Sequence, residues 1–224
     1  MGSSGNRHQG RVRVKVCGLT RPEDARAAAV AGADALGLNF VRESPRFIGG
    51  LRRARALIRR ARVAGAVQWA GVFVNPRLRD VLRVAEVLGL RIIQLHGDET
   101  PAFCLRLKQR LAANVVVWKA FRVAREEDLA ALPHYPCDAW LVDAFVSRAR
   151  GGTGRTFDWE ILKGIKRSKS LVLAGGLHPG NVGEAVRRVR PDWVDVASGV
   201  ETAPGVKDPA RVAQFVRAAR TSLA

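Results

Sequence analysis

Acidic residues are scarce in this chain. Twenty Asp and Glu stand against 38 Lys and Arg in 224 residues, a formal charge of +18. Cysteine is also sparse: three, an odd number with no paired spacing, which argues against a disulfide framework and for a reducing, cytoplasmic setting. No apolar run approaches the roughly 18 residues of a membrane span. The opening "MGSSGNRHQG" lacks the apolar core of a secretory signal and is expected to form a disordered tail over 1–10. No HxH, HxxEH or CxxC spacing occurs among the four histidines and three cysteines, so no metal site is expected. GxSxG and P-loop motifs are absent too.

What is present first is charge. An excess of this size suits nucleic acid, an acidic membrane surface or anionic small molecules. Much of it sits in "LRRARALIRRAR" (51–62). At about 100° per residue, Leu51, Ala54, Leu57, Ile58 and Ala61 share one helical face. Arg52, Arg53, Arg55, Arg59, Arg60 and Arg62 cover the other. This reads as a solvated amphipathic helix. No aromatic interleaving or zinc-finger signature accompanies it, so neither a specific nucleic-acid partner nor a membrane partner is expected.

The second presence is alternation. Apolar or β-branched runs occur near 12–17, 35–40, 66–74, 91–95, 114–120, 138–143, 170–174 and 193–197. Helical patterns lie between them, near 22–31, 51–64, 76–88, 100–112, 125–132, 157–164, 179–189 and 208–220. Thr20 with Pro22, Asn75-Pro76, Thr100-Pro101 and His178-Pro179 mark helix starts. Eight such units without a linker predict an α/β fold, a single-domain (β/α)8 TIM barrel over 11–224. An open doubly wound sheet would want GxGxxG after the first strand, where "CGLTRP" stands instead.

In a barrel, chemistry gathers at the C-terminal ends of the strands. Those ends carry Cys17, Asn39, Asn75, Gln94, His96, Lys119 and Asp143, and the glycine turns Gly175-Gly176 and Ser198-Gly199, while the strand interiors read as apolar. Glycine turns after the seventh and eighth strands, beside helix starts, predict a phosphate site. Asp143 suits a general acid facing Cys17, or an N-cap or a loop salt bridge. The glycine-rich "GGTGRTFDW" (151–159) beside it suggests a cover over a site. His96 is either a substrate contact or a polar loop residue. His134 reads as structural, and Cys104 and Cys137 as core fillers.

The stretches "KVCGLTRPEDA", "ALGLNFVRESPRFI", "IIQLHGDE", "LVDAF", "GGTGRTFDW", "LVLAGGLHPGNV" and "VDVASGVETAPGVKD" together resemble the phosphoribosylanthranilate isomerase family. The resemblance runs in order from about 12 to 220. It implies a (β/α)8 barrel and an Amadori rearrangement of N-(5-phosphoribosyl)anthranilate, in tryptophan biosynthesis, without cofactor or metal. By motif it implies Cys17 as general base and Asp143 as general acid. Arg46 would contact the anthranilate end and His96 would lie near the substrate. Gly175, Gly176, Ser198 and Gly199 would take the phosphate. The partner implied is this small molecule, and the assembly a monomer or homodimer. Asn39 departs from the apolar residue common there. Indole-3-glycerol phosphate synthase would be expected to use lysine where Cys17 stands, and the related histidine-pathway isomerase an aspartate.

Overall fold

Strands and helices alternate in the structure as they do in the sequence. The computed structural model describes residues 11–63, 65, 67–143, 159–165 and 167–222. The expected tail (1–10) and most of the expected cover (151–158) lie outside the described residues. Eight strands follow one another: β1 (Arg13–Val16), β2 (Ala35–Asn39), β3 (Gln68–Phe73), β4 (Ile92–Leu95), β5 (Val116–Arg122), β6 (Ala139–Asp143), β7 (Ser170–Ala174) and β8 (Trp193–Val196). Each pairs in parallel with the next, and β8 pairs with β1 from Arg13↔Trp193 to Val16↔Val196, closing a barrel. The expected fold class is therefore the observed one.

Outside lie α1 (Pro22–Val30), α2 (Leu51–Ala61), α3 (Leu78–Leu88), α4 (Pro101–Lys108), α5 (Val182–Val189) and α6 (Pro209–Thr221). On α2, Ala54, Leu57 and Ala61 are buried, and its five arginines and Arg62 just beyond it are exposed. That is the amphipathic helix its spacing predicts. Thr100 caps α4 by accepting from the Phe103 N–H, and Asp208 caps α6 by accepting from Ala210 and Arg211. Arg26 donates to the carbonyls of Arg60 and Ala61 at the α2 C-terminus, where the helix dipole favours a cation.

Several local expectations need correction. The segments after β5 and β6 are 3-10 helices, Glu126–His134 and Trp159–Gly164, rather than α-helices. Pro133 explains the first. It has no N–H, and in an α-helix its ring would meet the carbonyl four residues back. Pro76 and Pro179 sit in turns before their helices, not in them. Thr20 does not cap α1; its hydroxyl donates to the Gly205 carbonyl at 2.6 Å. After β8 the chain forms an unanticipated hairpin, β9 (Glu201–Ala203) with β10 (Val206–Lys207).

Two apolar clusters result. The larger fills the layer between sheet and helices. The smaller lies inside the barrel, where Trp118 and Trp193 meet edge to face with centroids 5.0 Å apart. Alanines 35, 70 and 139 make room for the two indoles. The strand interiors are not wholly apolar, however: Lys15, Gln94, Lys119 and Asp195 are buried within them.

Candidate active site

Side chains alternate across a strand, so residues two positions beyond an interior packing residue also face inward, nearer the mouth. Leu141 lies in the inner cluster, and Asp143 ends β6 two residues later. Ile92 leads likewise to Gln94 and His96, and Trp193 to Asp195. Lys15 pairs in register with Asp195 across the β1–β8 seam, and Cys17 follows Lys15 by two. Of these, Cys17, Gln94, His96, Asp143 and Asp195 line a cavity of about 280 Å³ at the C-terminal ends of the strands.

Cys17, Arg46, His96, Asp143, Gly175, Gly176 and Ser198 all line this cavity. Gly199, the remaining expected site residue, is not among its lining residues. A methyl group at Gly199 would lie 2.0 Å from the Leu177 carbonyl oxygen. Its lack of a side chain lets the β7 and β8 loops touch, so bulk there would part the loops before it met a ligand. Gly176 differs. Its φ is +64°, a backbone region that favours glycine, and a methyl group there would meet nothing within 4 Å.

Cys17 directly follows β1, its N–H donated to the Val196 carbonyl at 2.8 Å. Beneath it Lys15, wholly buried, donates to both Asp195 carboxylate oxygens at 2.9 and 2.8 Å. Burial pushes the Cys17 thiol above its ordinary value, Asp195 pushes the same way, and the charges of Lys15 and Lys207 oppose them. Burial alone would lower Lys15, but Asp195 and Cys17 raise it, so it stays a cation. The other thiols are core fillers as expected. Cys104 and Cys137 are buried, and burial lifts Cys104 to about 11.

Arg46 is held by Glu201. Its Nε lies 2.9 Å from Oε1 and its Nη2 2.6 Å from Oε2. Lys207 Nζ donates to Oε1 of the same carboxylate at 2.7 Å. Burial would raise Glu201, but hydrogen bonds from Arg46 and Lys207 hold it below the usual carboxylate range. The hairpin exists in register for this, since Glu201 and Lys207 are cross-strand partners. The atypical Asn39 fastens the other side of the loop. Its amide donates to Ser44 Oγ, which in turn accepts from the Arg46 N–H.

His96 Nε2 lies 3.3 Å from Asp143 Oδ2, and His96 Nδ1 lies 2.9 Å from the Gln94 amide nitrogen. The sequence marked the strand-end residues, Gln94 among them without a role, but not Lys15, Asp195, Glu201 or Lys207. A signal existed for two of them: a charge inside a strand enclosed on both faces, as in "VKVC" and "WVDVA". Among the described residues no three His, Cys, Asp or Glu side chains gather so as to hold a metal ion.

A closed parallel barrel with a thiol, a carboxyl and an imidazole at its mouth, backed by buried cations, has the make-up of a barrel enzyme with a small-molecule pocket. Comparison with known proteins gives this class a family. A family model described as N-(5'phosphoribosyl)anthranilate (PRA) isomerase matches residues 14–218. An N-(5'-phosphoribosyl)anthranilate isomerase of Geobacter sp. (strain M21) is 48% identical over 208 residues, covering 93% of this chain and 98% of that one. The crystal structure of the isomerase from Thermotoga maritima superposes with a TM-score of 0.81 at 40% identity, over 93% of this chain and 98% of that one. Another solved isomerase, in complex with reduced 1-(o-carboxyphenylamino)-1-deoxyribulose 5-phosphate, gives 0.80 at 38% identity over the same shares. The chain belongs to the phosphoribosylanthranilate isomerase family and is an isomerase of tryptophan biosynthesis.

Proposed function

We propose that the chain converts N-(5-phosphoribosyl)anthranilate to 1-(2-carboxyphenylamino)-1-deoxyribulose 5-phosphate with Asp143 as general acid and Cys17 as general base. The observation that carries this division is that both line one cavity from different strands. Asp143 gives its proton to the ribose ring oxygen. The C1–O bond breaks as the anilino nitrogen's lone pair forms C1=N. The Cys17 thiolate then takes the C2 proton, the C–H pair becomes C1=C2, and the C=N pair returns to nitrogen. The resulting enolamine becomes the ketone when its hydroxyl loses a proton and C1 gains one. No redox partner is needed.

Arg46, fixed by Glu201, suits the anthranilate carboxylate. The loops bearing Gly175, Gly176, Ser198 and Gly199 offer backbone N–H groups to the phosphate. Buried Lys15 favours the thiolate at the moment of proton transfer. We assign the chain to the cytoplasm as a monomer or homodimer, with 11–224 as one catalytic domain. No described helix is long and apolar enough to cross a membrane.

Alkylation tests the base. Iodoacetamide should inactivate the enzyme through Cys17, and a reduced product analogue should slow that reaction. Inactivation that maps to Cys104 or Cys137 alone would remove Cys17 from the reading.

A further inference from the structure

Gln94 stands two residues before His96 on β4, lines the cavity, and is only 2% exposed. Its amide nitrogen faces His96 Nδ1 at 2.9 Å, while its Oε1 is buried without a hydrogen-bond partner among the described residues. An amide N–H can only donate. With the amide in this orientation, the ring nitrogen it meets is the lone-pair nitrogen. The imidazole proton then belongs on Nε2, 3.3 Å from Asp143 Oδ2.

We propose that Gln94 is a positioning residue that locks His96 in its Nε2–H tautomer and so keeps the proton of Asp143 available to substrate. The inference rests on the reading of Asp143 as the acid. With Nε2–H donating to Oδ2, the acid proton sits on the other oxygen, Oδ1. Once that proton leaves, the same N–H stabilises the carboxylate that remains. In the opposite tautomer the Nε2 lone pair would draw the acid proton onto Oδ2, tying it to the ring instead of the substrate. The buried Oε1 suits a hydroxyl or anilino N–H of the substrate, and that contact would hold the amide in this orientation.

The test pairs a spectroscopic readout with kinetics. In full-length protein labelled with ¹⁵N-histidine, the His96 signals are those lost in His96→Asn. They should show an unprotonated Nδ1 and a protonated Nε2. Gln94→Glu places an acceptor at Nδ1, so it should move the proton there. It should also lower kcat by about 10²-fold or more, the scale of a lost general acid, with little change in KM. Should Gln94→Glu fail to fold, Gln94→Met removes the donor without adding a charge; a mixture of tautomers and a lower kcat would support the lock. A protonated, uncharged Nδ1–H tautomer in the wild type would overturn it. So would wild-type kcat in the folded Gln94 variant while Asp143→Asn is inactive, an outcome that spares the acid itself. If Asp143→Asn keeps wild-type kcat, the acid reading fails and the lock falls with it.

Discussion

The floor and the mouth of the barrel interior are built by the same strands, two residues apart, and they do opposite work. At the floor Trp118 and Trp193 pack on alanines, with the Arg13 guanidinium 4.3 Å over the Trp193 ring. One step up, Lys15, Gln94 and Asp195 are also buried, yet they carry charge or amide. Apolar groups at the floor need only shape. Charges at the mouth need partners, because an unpaired buried charge is strongly destabilising. The barrel supplies them by closing, since Lys15 meets Asp195 only across the β1–β8 seam.

The sharpest contrast should come from substituting one residue at each end. Cys17→Ser at the mouth should lower kcat by about 10²–10⁴-fold while the denaturation midpoint barely moves. Trp118→Ala at the floor should cost about 3–5 kcal/mol of stability, while kcat per folded molecule stays within a few-fold. Urea titration with parallel initial rates measures both. If the mouth variant loses stability and the floor variant loses only kcat, the division is wrong.

Gly176→Val should come next in size. A β-branched residue at positive φ is strained by about 1–3 kcal/mol, at a position open to the cavity. KM should rise by about tenfold or more with kcat less affected, and an unchanged KM would move the phosphate elsewhere. The pH profile follows from the raised Cys17 thiol. Its thiolate is the working form, so kcat/KM should climb with pH along a limb centred above about 8.5, the ordinary thiol value. A limb centred well below that would mean that Lys15 outweighs burial. The smallest effect belongs to the exposed arginines of α2. Duplex DNA should bind weakly and dissociate steeply with salt, and reversing Arg52 and Arg59 to Glu should leave kcat unchanged. Sequence-selective binding that survives near-physiological salt would give this face a further role.

How much of this was legible in the sequence follows from the same contrast. The eight strands were legible because each is an apolar run bounded by turn signals. Cys17, His96 and Asp143 were legible because they stand at strand ends. Gln94 was legible only as a strand-end residue without a role, and Lys15 only as an ordinary member of "VKVC". Their meaning depends on which way a strand faces and on which strand closes beside it. Lys15 and Asp195 lie 180 residues apart, and only closure of the barrel joins them. The grip of Glu201 and Lys207 on Arg46 was hidden for a related reason. It needs a hairpin whose two short strands carry no periodic signal, reaching a loop 155 residues away. Pro133 bounded the expected helix at 132, but not its 3-10 form, which runs through the proline to His134.

The central claim is that the mouth performs acid–base chemistry with Asp143 as the acid, and one variant addresses it directly. Asp143→Asn keeps the side chain's shape and removes the proton to be donated. The measurement is kcat for phosphoribosylanthranilate turnover, followed by loss of substrate fluorescence, together with Kd for the reduced product analogue. The account predicts that kcat falls by about 10²–10⁴-fold while Kd stays close to the wild-type value. Wild-type kcat in the folded Asp143→Asn enzyme would contradict it.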